Sequence, residues 1–234
     1  MKKFFMLSGV LAPIIYVATV ILGGLLRLGY SHVAEPISEL VAAGAPNRPL
    51  LSTLFIIYNV LSSAFGLGLF LKVRDEPYRR ASGLFGSLAL VVIGILGVCM
   101  ELFFPQDPGG IPTTSAGTMH IVFAGIVSLG TMVAILLTAF WFRNSPDFSG
   151  YVTYSLITVA MIFVSGGLTA MAVANNHPLL GLSERITIGA YIQWLFVIGI
   201  TMYRFTHTTT TNNSSSLFTS RSTTRAALKN NHTS

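Results

Sequence analysis

Residues 4–26 read FFMLSGVLAPIIYVATVILGGLL, 23 positions without one charged side chain. The hydrocarbon core of a bilayer is about 30 Å thick, so about 20 apolar residues in a helix cross it. Lys2 and Lys3 precede this run, as a signal peptide's basic start would. The apolar stretch of a signal peptide is only about 7–15 residues long. The run is therefore expected to be a retained first span. Working outward, five more runs lack Asp, Glu, Lys and Arg: residues 50–71, 81–100, 121–142, 150–174 and 186–203. The expected fold is all-α, a polytopic membrane protein with a bundle of six transmembrane helices over residues 1–205.

Composition agrees. Hydrophobic residues make up 52% of the 234 positions and charged ones 9%. Soluble domains carry about 25% charged residues, so most of this surface must face lipid. The net charge of +6 does not point to nucleic acid, because the basic residues gather in short loops and the tail. Lys2, Lys3, Lys72, Arg74, Arg79, Arg80, Arg143 and Arg204 fall on one side of a six-span topology, and Arg27, Arg48 and Arg185 on the other. Basic loops stay in the cytosol. The expectation is a multi-pass protein of the cell membrane with both termini cytosolic. Residues 206–234 are Thr, Ser and Asn with scattered cations, a composition that cannot bury a core and is expected to form a disordered polar tail. Cys99 is the single cysteine, which excludes an intrachain disulfide.

Small residues recur at four-residue spacing: Ser62 and Gly66, Gly83 and Ser87, and Gly166, Ala170 and Ala174. Such faces let helix backbones approach closely in lipid. Asn59 and Gln193, polar near mid-span, are expected to hydrogen-bond across helices, and Phe55, Tyr58 and Phe65 to pack.

The three outer loops hold five of the eight acidic residues and three of the five histidines. Carboxylates contribute little to topology, so these are candidates for function. Residues 35–44, EPISELVAAG, suit a short interfacial helix, with Pro36 at its first position and Gly44 at its stop. Glu35 and Glu39, four apart, would share a face and repel; Arg27, Arg48, Arg185 or a metal would relieve that. Ser38 lies between them. Asp107 follows Phe104-Pro105-Gln106 in a stiff turn. Glu101 ends the third span. Thr113, Thr114, Ser115 and Thr118 are caps for helix four. His120 then falls in that helix's first turn, where the dipole disfavours imidazolium. Arg185 is expected to begin helix six, where the same dipole opposes a cation, so it calls for an anionic partner. Its neighbour Glu184 suits that position.

At these residues the chain resembles the six-helix membrane proteins grouped as domain of unknown function 998. The likeness rests on Ile37-Ser38-Glu39-Leu40, Phe104-Pro105-Gln106-Asp107, His120 and Gly181-Leu182-Ser183-Glu184-Arg185, and covers residues 1–204. It implies that Glu39, Asp107, His120 and Arg185 are signature positions. It implies no activity and no cofactor.

Three functions compete. The first is binding of a lipid or small ligand at the outer face, with Glu39, Asp107, His120 and Arg185 converging in one pocket and His32, Glu35, Ser38, Glu101 and Glu184 as secondary candidates. The second is a membrane-embedded metal-dependent hydrolase, with His32, His120 and Asp107 as ligands and Glu39 as base. Neither H-E-x-x-H nor G-x-S-x-G is present to support it. The third is a small-molecule transporter, against which stands the lack of ionisable groups at mid-span.

Overall fold

The computed structural model describes residues 2–76 and 80–230, with side chains described from 3 to 76 and from 80 to 206. It is all-helical there: α1 (Lys2–Leu26), a 3-10 turn η1 (Ile37–Val41), α2 (Arg48–Asp75), α3 (Ala81–Phe103), α4 (Ser115–Phe142), α5 (Tyr151–Ala174) and α6 (Leu180–Asn230). Six stretches are long and apolar enough to cross a membrane, the last being Leu180–Thr206. The chain is a multi-pass membrane protein, as its uncharged runs require. The α6 backbone continues as helix to Asn230, where the sequence reading expects no regular structure. The tail side chains, Arg221, Arg225 and Lys229 among them, lie outside the described residues, as does Arg79.

Each helix packs on its neighbours in chain order, and α6 closes back onto α1. The bundle is thus a six-membered ring. Closure depends on glycine: a Cβ on Gly199 of α6 would meet the main chain of Gly9 of α1 at 2.7 Å. The Ser62–Gly66 stripe of α2 meets α3 in the same way, with a Gly66 Cβ only 2.8 Å from Val91 N. The α5 stripe does not behave so. Gly166 has only ordinary contacts, with Thr187 and Ser128, while Ala170 and Ala174 are exposed. Asn59 bonds to the Phe55 carbonyl of its own helix rather than across helices, because that carbonyl is within reach one turn back. Gln193 is exposed on the bundle surface.

At one end, Lys72 lies over the rings of Phe148 (5.4 Å) and Phe205 (4.5 Å) and pairs with Glu76 at 2.7 Å. At the other end stand η1 and the loops joining α3 to α4 and α5 to α6. The expected interfacial helix is shorter and tighter than its sequence suggests. Only Ile37–Val41 is helical, in 3-10 form, and Gly44 turns the chain out with φ +80°. Ile37, Leu40 and Val41 are buried, so η1 inserts between the helix ends instead of lying on the bilayer. Glu35 precedes the turn, so the two glutamates do not share a helix face.

Candidate functional site

Three arginines converge on the main chain of residues 35–41. Arg27, just past α1, pairs with Glu39 through Nη2 and Oε1 at 2.7 Å, and its Nη1 donates to the Glu39 carbonyl. Arg48, the first residue of α2, donates Nε to the Val41 carbonyl at 3.2 Å. Arg185 donates Nη1 to the carbonyls of Glu35 (2.9 Å) and Gly181 (2.8 Å), and Nη2 to Tyr30 Oη (2.6 Å), with His32 Nδ1 at 3.2 Å. A 3-10 turn of five residues leaves most of its carbonyls unpaired, and buried carbonyls need donors. Arginine supplies several from one planar group. Carboxylates serve the N–H groups in turn: Glu184 Oε2 accepts from Ile37 N at 2.5 Å, and Glu39 Oε2 from Gly109 N at 2.8 Å. Tyr30 donates to the Pro36 carbonyl at 2.8 Å. Burial raises its phenol to about 12, against the pull of the Arg185 guanidinium, so it remains a donor at neutral pH.

The side chains of Glu39, Asp107, His120 and Arg185 share this face but do not bond to one another. Arg185 does not take Glu39 or Asp107 as its anion. The reason is helix length: α6 begins at Leu180, not 186. Arg185 therefore lies beyond the first turn, where the dipole has faded, and its donors meet carbonyls. His120 is likewise in the second turn of α4, with Nδ1 2.8 Å from the Phe104 carbonyl. It ties the start of α4 to the end of α3. Glu35 Oε2 accepts from Ser31 N at 3.3 Å.

Asp107 organises the α3–α4 loop. Its Oδ2 accepts from the main-chain N–H of Thr113 (2.6 Å) and Thr114 (2.7 Å), and its Oδ1 from Thr114 Oγ1 (2.8 Å). Thr114 Oγ1 then accepts from Gly117 N and caps α4, as expected of it. Gly109 and Gly110, at φ +83° and +79°, permit the turn. The main-chain N–H groups of Thr113, then Thr114, hold the Asp107 carboxyl below its ordinary value. A group lowered in the folded state stabilises above its unfolded pKa of about 3.9 and loses that contribution as pH falls through the folded value. The melting temperature in detergent is thus expected to fall more steeply below about pH 4 in the natural chain than in Asp107→Asn. Parallel curves would show that Asp107 contributes no such linkage.

Beneath η1, inside the ring, is a cavity of about 170 Å³ walled by all six helices. Its wall is mostly apolar. At the η1 end stand Ser38, Glu101, His120 and Glu184; deeper are Tyr16, Tyr58, Asn59, Thr131 and Tyr191. Four sequence candidates therefore meet at one cavity, while Glu39 and Asp107 belong to the framework above it and Arg185 faces a second groove, between α1 and α6. The three tyrosines were missed. Tyr58 reads as packing, and the available signal was a phenol hydroxyl at a depth where hydroxyls are costly. Among the described residues no group of three His, Cys, Asp or Glu is placed to hold a metal. The expected triad of His32, His120 and Asp107 is dispersed, because the loops carry each to a different partner.

A closed ring of six spanning helices, plugged at one end by η1 and hollow beneath it, defines the class: a small multi-pass membrane protein with a central cavity. The chain belongs to the family described as Protein of unknown function (DUF998), whose model matches residues 10–201. No curated protein and no solved structure matches the chain significantly.

Proposed function

We propose that the central cavity binds a small amphipathic ligand, either a free molecule or the head and first atoms of a lipid. The carrying observation is the cavity itself. Its volume, about 170 Å³, resembles the ~150 Å³ hollow that accepts benzene. A few polar groups at one end of an apolar wall are the usual makeup of a ligand site. Filling the space tests this. Ala124 lines the cavity, and Ala124→Trp is expected to remove the small molecules or lipids that mass spectrometry detects on the purified chain, with its melting temperature retained. An unchanged complement would reject the reading.

The basic-residue asymmetry supports cytosolic termini and an η1 face directed outward. Reporter fusions after Arg80 and Gly110 should then signal inside and outside respectively; signals from the same side would refute that orientation.

A further inference from the structure

The cavity's wall carries two carboxylates, Glu101 and Glu184, and no lysine or arginine. Arg48 acts on Glu101, which also has Ser52 beside it, and Arg185 acts on Glu184, but each arginine does so only through space. Arg48 donates to Val41 and Arg185 to Glu35 and Gly181, all main-chain carbonyls. Neither carboxylate has an ion pair within 4 Å among the described residues. Glu184 uses Oε2 on Ile37 N, and its Oε1 has no hydrogen bond among the described residues. Unpaired carboxylates in an apolar enclosure are costly, and a cation brought in by a ligand would offset that cost.

The deeper wall suits the same guest. Tyr16 packs on Tyr58 with ring centroids 4.8 Å apart and on Phe55 at 5.3 Å, and all three line the cavity. Pockets walled by aromatic side chains take up the apolar body of a ligand. Independently, Tyr191 is 7% exposed, lines the cavity, and its hydroxyl has no hydrogen-bond partner. The Ser62 hydroxyl stands close enough to act on Tyr191, yet neither oxygen has a partner in hydrogen-bond geometry. Buried hydroxyls without a partner are uncommon, and a bound polar ligand supplies one.

We infer that the ligand is an organic cation about the size of a substituted benzene ring, its amine or ammonium group held by Glu101 and Glu184, its apolar body by Tyr16 and Tyr58, and a polar substituent set against the Tyr191 hydroxyl. This rests on the cavity-binding reading. It commits that reading to one charge class.

The test is calorimetric titration of the full-length chain in neutral detergent with three probes of similar shape: benzylamine, benzyl alcohol and benzoate. Ala124→Trp supplies the background for probe taken up by the micelle. Above that background, benzylamine is expected to bind at least about tenfold more tightly than benzyl alcohol, a ratio equal to about 1.4 kcal/mol, and benzoate not to bind. Glu101→Gln with Glu184→Gln should bring the amine-to-alcohol ratio near one while leaving the alcohol's affinity in place. If the double variant misfolds, Glu101→Gln alone should lower the ratio. Equal binding of amine and alcohol, or tighter binding of benzoate, overturns the cation assignment but leaves the cavity reading standing. No binding of any probe also overturns the assignment. If Ala124→Trp then leaves the co-purifying molecules unchanged, the cavity reading falls with it.

Discussion

Arg185→Ala is expected to destabilise the protein by about 1.5–3 kcal/mol, the range for hydrogen bonds made by a charged group. The guanidinium joins two segments distant in sequence, the first loop and α6. It reaches the Glu35 carbonyl before η1, the Gly181 carbonyl one turn back on α6, and the Tyr30 hydroxyl after α1. It also lies over the Tyr30 ring, 5.6 Å from the centroid. Truncation leaves the Glu35 carbonyl only the long 3.4 Å contact from Tyr30 Oη and frees Tyr30, which itself holds Pro36. Lysine keeps the charge but not the planar fork, so Arg185→Lys should recover less than half of the loss. Thermal melts in detergent, with Tyr30→Phe to close a double-mutant cycle, measure this. A loss below about 1 kcal/mol for Arg185→Ala, the size of a surface pair, would mean that loop one is held without Arg185.

Gly199→Ala is expected to cost about 1–3 kcal/mol of net stability, the range for overpacking. The gain in helix propensity, about 1 kcal/mol for Gly to Ala, opposes it and is outweighed. The new Cβ would meet Gly9 main-chain atoms at 2.7 Å and 2.8 Å. Those atoms cannot rotate aside as a side chain can, so α1 and α6 must separate and the ring must open at its closure. Gly189, on the same helix, has open space where its Cβ would go. Gly189→Ala is therefore the control, expected to be neutral or slightly stabilising. Equal melting temperatures for the two variants would show that the α1–α6 contact yields at little cost.

The framework around Glu39, Asp107, Thr114 and Arg185 separates two ideas that the sequence alone merges. Side chains at helix ends can shape a cavity without touching what it holds. His120 belongs to both groups, since it bonds the Phe104 carbonyl and also lines the cavity. The cavity's polar end is built from residues on η1, α3, α4 and α6, and the three arginines keep η1 in place above it.

Six spans were legible in the sequence because apolar runs of this length have no soluble alternative. The Thr114 cap was legible too, since capping is local chemistry. So was the Ser62–Gly66 contact face, which needs only four-residue spacing. The starts of α1, α2, α3 and α5 were legible to within two residues, but those of α4 and α6 were not: polar residues in their first turns break the apolar run, so the uncharged stretches began six residues late in both. That error placed Arg185 against the dipole and suggested a carboxylate partner. Partner choice was beyond the sequence for a related reason. Arg27, Arg48 and Arg185 all could meet Glu39, and only the ring's closure and the insertion of η1 decide that Arg27 does. Tyr16 and Tyr58 come from the first two helices and Tyr191 from the last, and a sequence read along one dimension has no term for the space that a ring of helices leaves between them.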